Sequence, residues 1–414
     1  DEGLTGVTDP SIPERWTLIA RDAFSGVLLW KRPMKEWNTV NFRGSGRGFV
    51  PPPINRTLIA DGDHLFTVSS FRGAVVKLEG ATGSEIQQYA KTEGTEEMIL
   101  CDNTLLVRTS ARDSDGQNAL VALNPDTGEI LWERPEEGYL AESLAARDGK
   151  AVYADRETLY CLSLADADVL WTYESKDFQR HSWSSGPRIV ITDENVLVGK
   201  EKRILALDLV SGDVIWEQPT GGFSMRGADM MVIDGRVWHA NAERIVGYDL
   251  ETGELEESID AQKVQSAGHH LRCYPAKATL NYLISQFRGV EFISLTGDEH
   301  VQNDWTRGSC RYGVMPGNGL LYVPPHPCFC YAGAMMTGLN AFASASENEI
   351  NEVVDAAETL KDRVERGPAW GTVRSEETVE PEWPIYRADS RRSGAISASV
   401  SNRLKQKWVT KLGG

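Results

Sequence analysis

The stretch Ala122-Leu-Asn-Pro-Asp-Thr-Gly-Glu-Ile-Leu-Trp132 returns as Ala20-Arg-Asp-Ala-Phe-Ser-Gly-Val-Leu-Leu-Trp30 and as Ala206-Leu-Asp-Leu-Val-Ser-Gly-Asp-Val-Ile-Trp216. The shared pattern is Ala-x-Asp/Asn-x-x-Ser/Thr-Gly-x-x-x-Trp. Its first half reads as the end of one strand and its last four residues as the start of another. Asp or Asn opens the turn by bonding its own backbone, and Gly supplies a positive φ that other residues resist. The Trp carries a wide apolar face and one N–H that needs a partner, which suits a wedge between neighbouring units.

Weaker copies fill the gaps at Leu78-Glu-Gly-Ala-Thr-Gly83, Leu162-Ser-Leu-Ala-Asp-Ala167, Tyr248-Asp-Leu-Glu-Thr-Gly253, Ser294-Leu-Thr-Gly297 and Leu339-Asn-Ala-Phe-Ala-Ser344. The turns therefore sit at 26, 83, 128, 167, 212, 253, 297 and about 344, spaced 39 to 57 residues apart. About 20 residues before most of them lies a tight hairpin signal: Asp61-Gly62, Asp102-Asn103, Asp148-Gly149, Asp193-Glu-Asn195, Asp234-Gly235 and Gly317-Asn-Gly319. Each unit reads inner strand, hairpin turn, second strand, loop, third strand, Asp-x-x-Thr-Gly turn, outer strand. A period of this length built from strands and turns predicts an all-β fold, a β-propeller. Eight units predict eight four-stranded blades, the first of which shows only its last two strands.

The repeat resembles the tryptophan-docking motif of the quinoprotein (pyrroloquinoline quinone, PQQ) dehydrogenase superfamily, and the resemblance covers nearly the whole chain. Trp16-Thr-Leu-Ile-Ala-Arg-Asp-Ala-Phe-Ser-Gly26 and the segment from Arg272-Cys-Tyr274 to Cys328-Phe-Cys-Tyr331 resemble long PQQ-like repeat proteins of planctomycete-type bacteria. The resemblance implies eight blades and a periplasmic or extracellular location. It leaves activity open, because the superfamily also holds non-enzymatic members, such as the propeller lipoprotein that assists outer-membrane protein assembly. Its dehydrogenases hold the quinone beneath a ring formed by two adjacent cysteines and use a calcium site and a catalytic Asp. This sequence has no Cys-Cys pair; the nearest match is Cys328-Phe-Cys330, which argues against PQQ as a cofactor.

Composition narrows the partners. The chain has 414 residues and a net charge of −17, which argues against nucleic acid and anionic membrane. No apolar run approaches the ~18 residues of a membrane span. With no initiator Met and no signal peptide, the chain reads as a piece of a longer protein.

The domain plan is a propeller over residues 1–345, with an opening loop over 1–13 and a Gly/Pro-rich connecting loop over 41–55. The glycines of Arg43-Gly-Ser-Gly-Arg-Gly48 lack the strand-before and helix-after context of a phosphate cradle. Residues 346–368 read as an amphipathic helix: Ser346-Glu-Asn-Glu349 is a capping box, and Ile350, Val353, Val354, Ala357, Leu360 and Val364 form one stripe. A linker over 369–382 follows. Residues 383–414 resemble the opening motif of a quinoprotein-type propeller plus one strand, which completes a blade or starts a second propeller.

Residues just before each inner strand ring the mouth of a propeller channel. Those positions are Glu96, Glu97, Tyr139, Glu142, His181, Trp183, Arg226, His269, His270, Arg272, Cys273, Arg307, Cys310, Arg311 and Tyr312, with Lys277 beside them. His326, Cys328 and Cys330 lie in a loop of unit eight that opens on the same face. Carboxylates, arginines and aromatics together suit an oxygen-rich polar ligand such as a carbohydrate, or a protein partner. Of six cysteines, Cys101 and Cys161 read as small core residues; the other four fall within 58 residues. With His269, His270 and His326, those four could form disulfides, bind zinc or copper, or stay reduced and buried. His181, His239 and His300 read as packing or surface histidines. The function these residues suggest is an exported binding or scaffold module with a Cys/His/Arg-rich face at units seven and eight. The alternative is a metal- or quinone-dependent oxidoreductase, or other enzyme, acting on sugars or alcohols. The sequence leaves open whether the chain is an enzyme.

Overall fold

In the computed structural model the Asp-x-x-Ser/Thr-Gly segments form the turns that their chemistry dictates. Asp22, Asn124, Asp208 and Asp249 each accept two backbone N–H bonds, from residues two and three further on, at 2.7–3.2 Å. Hydrogen bonds from Ser25, Ser211 and Thr252 hold the Asp22, Asp208 and Asp249 carboxyls below their usual range. The glycine that closes each turn has φ between +69° and +78° at positions 26, 83, 128, 212 and 253, and Ala167 takes the same conformation at +63°. The hairpins also form. Asp102-Asn103, Asp148-Gly149, Asp234-Gly235 and Asn318-Gly319 each place two residues at positive φ, the signature of a two-residue type I′ turn.

The structure describes residues 16–37, 56–111, 118–178, 187–200, 203–220, 229–240, 243–264, 274–285, 287, 289–297, 299–303, 305–308, 312–324, 336 and 338–344. The chain divides into two units, Asp1–Ser344 and Ala345–Gly414. The second unit lies wholly outside the described residues, as do the opening loop, the 41–55 loop, the expected helix and the 383–414 segment.

The first unit is a propeller. Its sheets are antiparallel and their strands follow chain order. Blades A (58–89), B (95–135), C (145–174), D (188–219) and E (230–260) have four strands each; F (277–294) and G (315–343) have three among the described residues. Among the described residues seven blades thus stand where eight were expected. Among the described residues the first sequence repeat contributes Trp16–Arg21 paired with Leu28–Met34, a two-stranded ribbon. That ribbon sits between G and A: Tyr322 of blade G donates to the Ala23 carbonyl at 3.0 Å, and the Trp30 indole donates to the Gly80 carbonyl of blade A at 2.8 Å. Among the described residues it comes without the two inner strands of a blade.

Burial sorts the strands. The second and third strands of blades A to D are the most buried, almost wholly so in blade B. The first strands meet one another around the channel, the mostly exposed Leu58–Asp61 against Thr95–Cys101, which in turn meets Ala145–Arg147 and then the half-buried Arg188–Ile191. The outer strands are mostly exposed; in Val169–Glu174 and Val214–Pro219 the Trp is the one buried residue.

The core therefore lies between blades. Val152, Leu159 and Trp171 of blade C pack on Val196, Leu205 and Leu207 of blade D; Leu197, Ile204 and Trp216 of blade D pack on Val237, Val246 and Tyr248 of blade E. The indoles of Trp132, Trp171 and Trp216 donate to the carbonyls of Leu164, Leu209 and Leu250 in the next blade, at 2.8, 3.1 and 2.9 Å. A register shift beside these residues recurs in the outer strand pair, between Cys161 and Leu162 and between Ala206 and Leu207. Such a bulge re-aims a side chain, here toward the neighbouring blade. A Cβ on Gly212 or Gly253 would lie 2.7 or 2.6 Å from the Trp171 or Trp216 ring, so glycine is needed for close approach as well as for φ.

Candidate functional site

The starts of the inner strands bring a charged cluster together at the channel mouth. Glu97, on the first strand of blade B, is its centre. Its Oε2 accepts from the Tyr139 hydroxyl at 2.8 Å, from the Glu142 backbone N–H at 2.8 Å and from Arg56 Nη1 at 3.4 Å. Tyr139 and Glu142 precede the first strand of blade C, and Arg56 precedes that of blade A. Glu142 presents its N–H from a left-handed backbone, φ +67°, which costs a non-glycine residue energy and is held here by that bond. The Glu142 carboxylate in turn accepts from Arg188 Nη1 at 2.8 Å, at the first strand of blade D.

Glu96 anchors a second branch. Arg108 Nη1 and Arg72 Nη2 each reach it at 2.6 Å, and the Ser110 hydroxyl donates to it at 2.9 Å. The Arg108 guanidinium also lies 5.1 Å from the centre of the Tyr139 ring, which joins the two branches by a cation–π contact. The Nε atoms of Arg56 and Arg108 are buried with no hydrogen-bond partner. The network runs A–B–C–D through Arg56 and Arg72, Glu96, Glu97 and Arg108, Tyr139 and Glu142, and Arg188.

Burial sets the protonation chemistry. It raises the Glu97 carboxyl above its usual range, although Arg56, the Glu142 N–H and the Tyr139 hydroxyl all pull the other way. It raises the Tyr139 hydroxyl well above its own, helped by the Glu97 charge, so Tyr139 acts as a donor. Beside this cluster Tyr153 donates to Glu136, whose carboxyl burial also raises, while Arg134 Nε reaches Glu136 at 3.1 Å.

Of the residues singled out in the sequence, Glu96, Glu97, Tyr139 and Glu142 converge. Lys277 is half-buried on the first strand of blade F; Arg307 is fully buried and Tyr312 half-buried ahead of blade G. His181, Trp183, Arg226, His269, His270, Arg272, Cys273, Cys310, Arg311, His326, Cys328 and Cys330 lie outside the described residues. Cys161 is buried and Cys101 partly so; burial pushes both thiols up to about 11, as expected of packing residues. His239 is buried with its ring nitrogens 2.9 Å from the Asp229 carbonyl and 3.2 Å from that of Thr220. Sequence reasoning missed Arg56, Arg72, Arg108 and Arg188. Arg56 and Arg188 obey the same rule that found Glu97, since each stands at the start of an inner strand. Among the described residues no group of three His, Cys, Asp or Glu converges to hold a metal ion.

Residues 90–236 match the PQQ_2 family model, described as outer membrane protein assembly factor BamB. Among solved structures, the crystal structure of BamB from Moraxella catarrhalis is similar at 15% identity and a TM-score of 0.48, covering 70% of this chain and 88% of that one. A search of curated proteins gives no match. Among the described residues no helix is long and apolar enough to cross a membrane.

Proposed function

We propose that this propeller, whose residues 90–236 match the PQQ_2 family model, is a scaffold which works outside the cytoplasm and holds a protein partner on its channel mouth. One observation carries the reading. The span that matches the family described as an outer-membrane assembly factor, 90–236, is the span that supplies Glu96, Glu97, Arg108, Tyr139, Glu142 and Arg188. These side chains are already paired with one another, so the surface is preorganised, and arginine and tyrosine are the residues protein interfaces favour. The segments around Arg272–Cys273, Cys310–Tyr312 and His326–Cys330 would extend that face. Thiol titration before and after reduction, with metal analysis, distinguishes bridged, metal-bound and free cysteines there.

The test is co-purification from the periplasmic fraction of the source cells, with identification of the bound protein and its reconstitution from pure components. Arg72→Glu and Arg188→Glu together should weaken the reconstituted complex by about tenfold or more, the loss of one or two charge pairs at an interface. Unchanged affinity in that variant would remove the mouth from the proposal. Oxidation of an alcohol or sugar by the purified protein supplied with PQQ and calcium would replace the scaffold reading with the enzymatic one.

A further inference from the structure

Three tyrosines of blade C stack in a row. Tyr139 precedes the first strand, Tyr153 lies on the second and Tyr160 on the third. The Tyr139 and Tyr153 ring centres are 5.9 Å apart and those of Tyr153 and Tyr160 5.0 Å, with planes inclined by 32° and 14°. The row runs outward from the mouth, where Arg108 lies over Tyr139. Its far end meets Arg134 of the outer strand of blade B, 6.0 Å from the centre of the Tyr160 ring. Tyr153 is fully buried between two half-buried neighbours.

Each phenol of the row donates to a carboxylate of its own. Tyr139 donates to Glu97 at 2.8 Å, Tyr153 to Glu136, and Tyr160 to Asp155 at 3.1 Å. The phenols of Tyr89, Tyr248, Tyr274 and Tyr322 donate instead to backbone carbonyls. The difference is chemical. A carbonyl accepts a hydrogen bond but no proton, whereas a carboxylate can take the proton itself. Glu97 and Glu136 are each 6% exposed, and burial raises both carboxyls, so each is a stronger base than a carboxylate in water. Burying a carboxylate is costly, and a row of phenylalanines would fill the same space without one. The three rings touch, while each hydroxyl has a separate base. An electron can therefore pass along the stack as each proton moves across one hydrogen bond and back.

We propose that Tyr139, Tyr153 and Tyr160 form a relay that carries a one-electron oxidising equivalent from the channel mouth to the outer side of the seam between blades B and C. An oxidant of the peroxyl-radical class takes an electron from Tyr139, whose O–H bond breaks as the proton passes to Glu97. Tyr153 then gives an electron to the Tyr139 phenoxyl radical, which takes its proton back from Glu97, while the Tyr153 proton passes to Glu136. Tyr160 refills Tyr153 in the same way, with Asp155 as its base. A reductant of the ascorbate class returns an electron to Tyr160, and Asp155 returns the proton. The peroxyl radical leaves as a hydroperoxide with a proton from water, the oxidised reductant yields one to water, and every side chain ends as it began. The relay does not depend on a protein partner at the mouth.

The test uses the full chain with aminotyrosine in place of Tyr153, where a hole settles and gives its own paramagnetic resonance signal. Photogenerated tris(bipyridine)ruthenium(III) serves as the oxidant, because it is too bulky to reach a fully buried side chain. An aminotyrosyl radical should form while Tyr139 and Tyr160 are present. Its signal should be lost when Tyr139→Phe and Tyr160→Phe are combined, which keeps both rings and removes both hydroxyls. Glu136→Gln keeps every ring and a hydrogen-bond acceptor but takes no proton, and should lower the yield by itself. Near-ultraviolet circular dichroism checks that each variant keeps its packing. Absence of the radical in the chain that retains both outer tyrosines overturns the proposal. A yield unchanged by the double Phe substitution overturns it too, since the oxidant then reaches position 153 without the row. A yield unchanged by Glu136→Gln overturns the proton step, and the relay with it.

Discussion

At the seam between blades D and E, Trp216 buries its ring against Gly253 and gives its one N–H to Leu250; at the mouth, Glu97 gathers an arginine, a tyrosine and a backbone N–H from two neighbouring blades. Both places fasten one blade to the next. The seam does so with apolar area and a single hydrogen bond, so its strength depends on fit and little on solvent conditions. The mouth does so with charges taken partly out of water, which gain from each other only while every partner stays in place. The seam is therefore suited to holding the ring together. The mouth is suited to presenting fixed charges, and its dependence on pH is part of its nature.

The largest expected effect is at the seam. Trp216→Ala leaves a void between two blades and an unpaired Leu250 carbonyl, and should cost about 3–5 kcal/mol. Glu257→Ala, at the aligned position one blade on, removes an exposed carboxylate and should stay within about 0.5 kcal/mol of the unaltered chain. Urea unfolding of the two variants side by side checks both numbers. Similar midpoints for the two would mean that the indoles decorate the seams without joining them.

How much of this could be read beforehand follows the same division. The seams are local: Asp, Gly and Trp stand within a dozen residues of one another, and each has a physical job visible in the string. That is why the turns at Gly26, Gly128 and Gly212, the hairpins at Asp148 and Asp234, and the burial of Cys161 could all be stated from the sequence. The blade count was harder to read, because the first repeat keeps the turn and the Trp while its described residues give the ring only the ribbon of Trp16–Arg21 and Leu28–Met34. The mouth is non-local. Its Glu97–Arg56 and Glu142–Arg188 pairs join different blades far apart in the chain, so the strand rule, which all four residues obey, does not say which of them pair. Arg108 was invisible for a further reason: it lies on a second strand, where the alternation predicts packing, and it packs while reaching Glu96 with its tip.

The next effect in size tests the mouth. Glu97→Ala strands the Tyr139 hydroxyl, the Glu142 N–H and the Arg56 charge together, and should cost about 3 kcal/mol. Glu97→Gln keeps an acceptor and should cost less. The conservative variant also isolates a pH term. Because burial raises the Glu97 carboxyl above its unfolded value, the folded chain holds a proton that the unfolded chain has already released at about pH 4.3. Its contribution to stability is complete below that pH and declines as pH rises through the folded value. The difference in urea midpoint between the unaltered chain and Glu97→Gln should therefore shift against the unaltered chain between pH 4 and neutrality. A difference that does not change with pH would mean that the carboxyl stays ionised throughout.

The smallest effect separates charge at the mouth from charge in general. Arg203 reaches Glu217 at 2.8 Å across the outer strands of blade D, in the same geometry as Arg188 with Glu142, but with side chains 29% and 41% exposed in place of 25% and 10%. Water and salt screen the outer pair, and holding two long side chains in one pose costs entropy, so its coupling energy should be about 0–1 kcal/mol. A double-mutant cycle with Arg203→Ala and Glu217→Ala, set beside one with Arg188→Ala and Glu142→Ala, measures both. The inner coupling should be the larger and should survive in 0.5 M salt, because Glu142 is nearly buried and its backbone is tied to Glu97. Equal couplings that both vanish in salt would show that the mouth is an ordinary solvated surface, and that the blades are joined by their apolar seams alone.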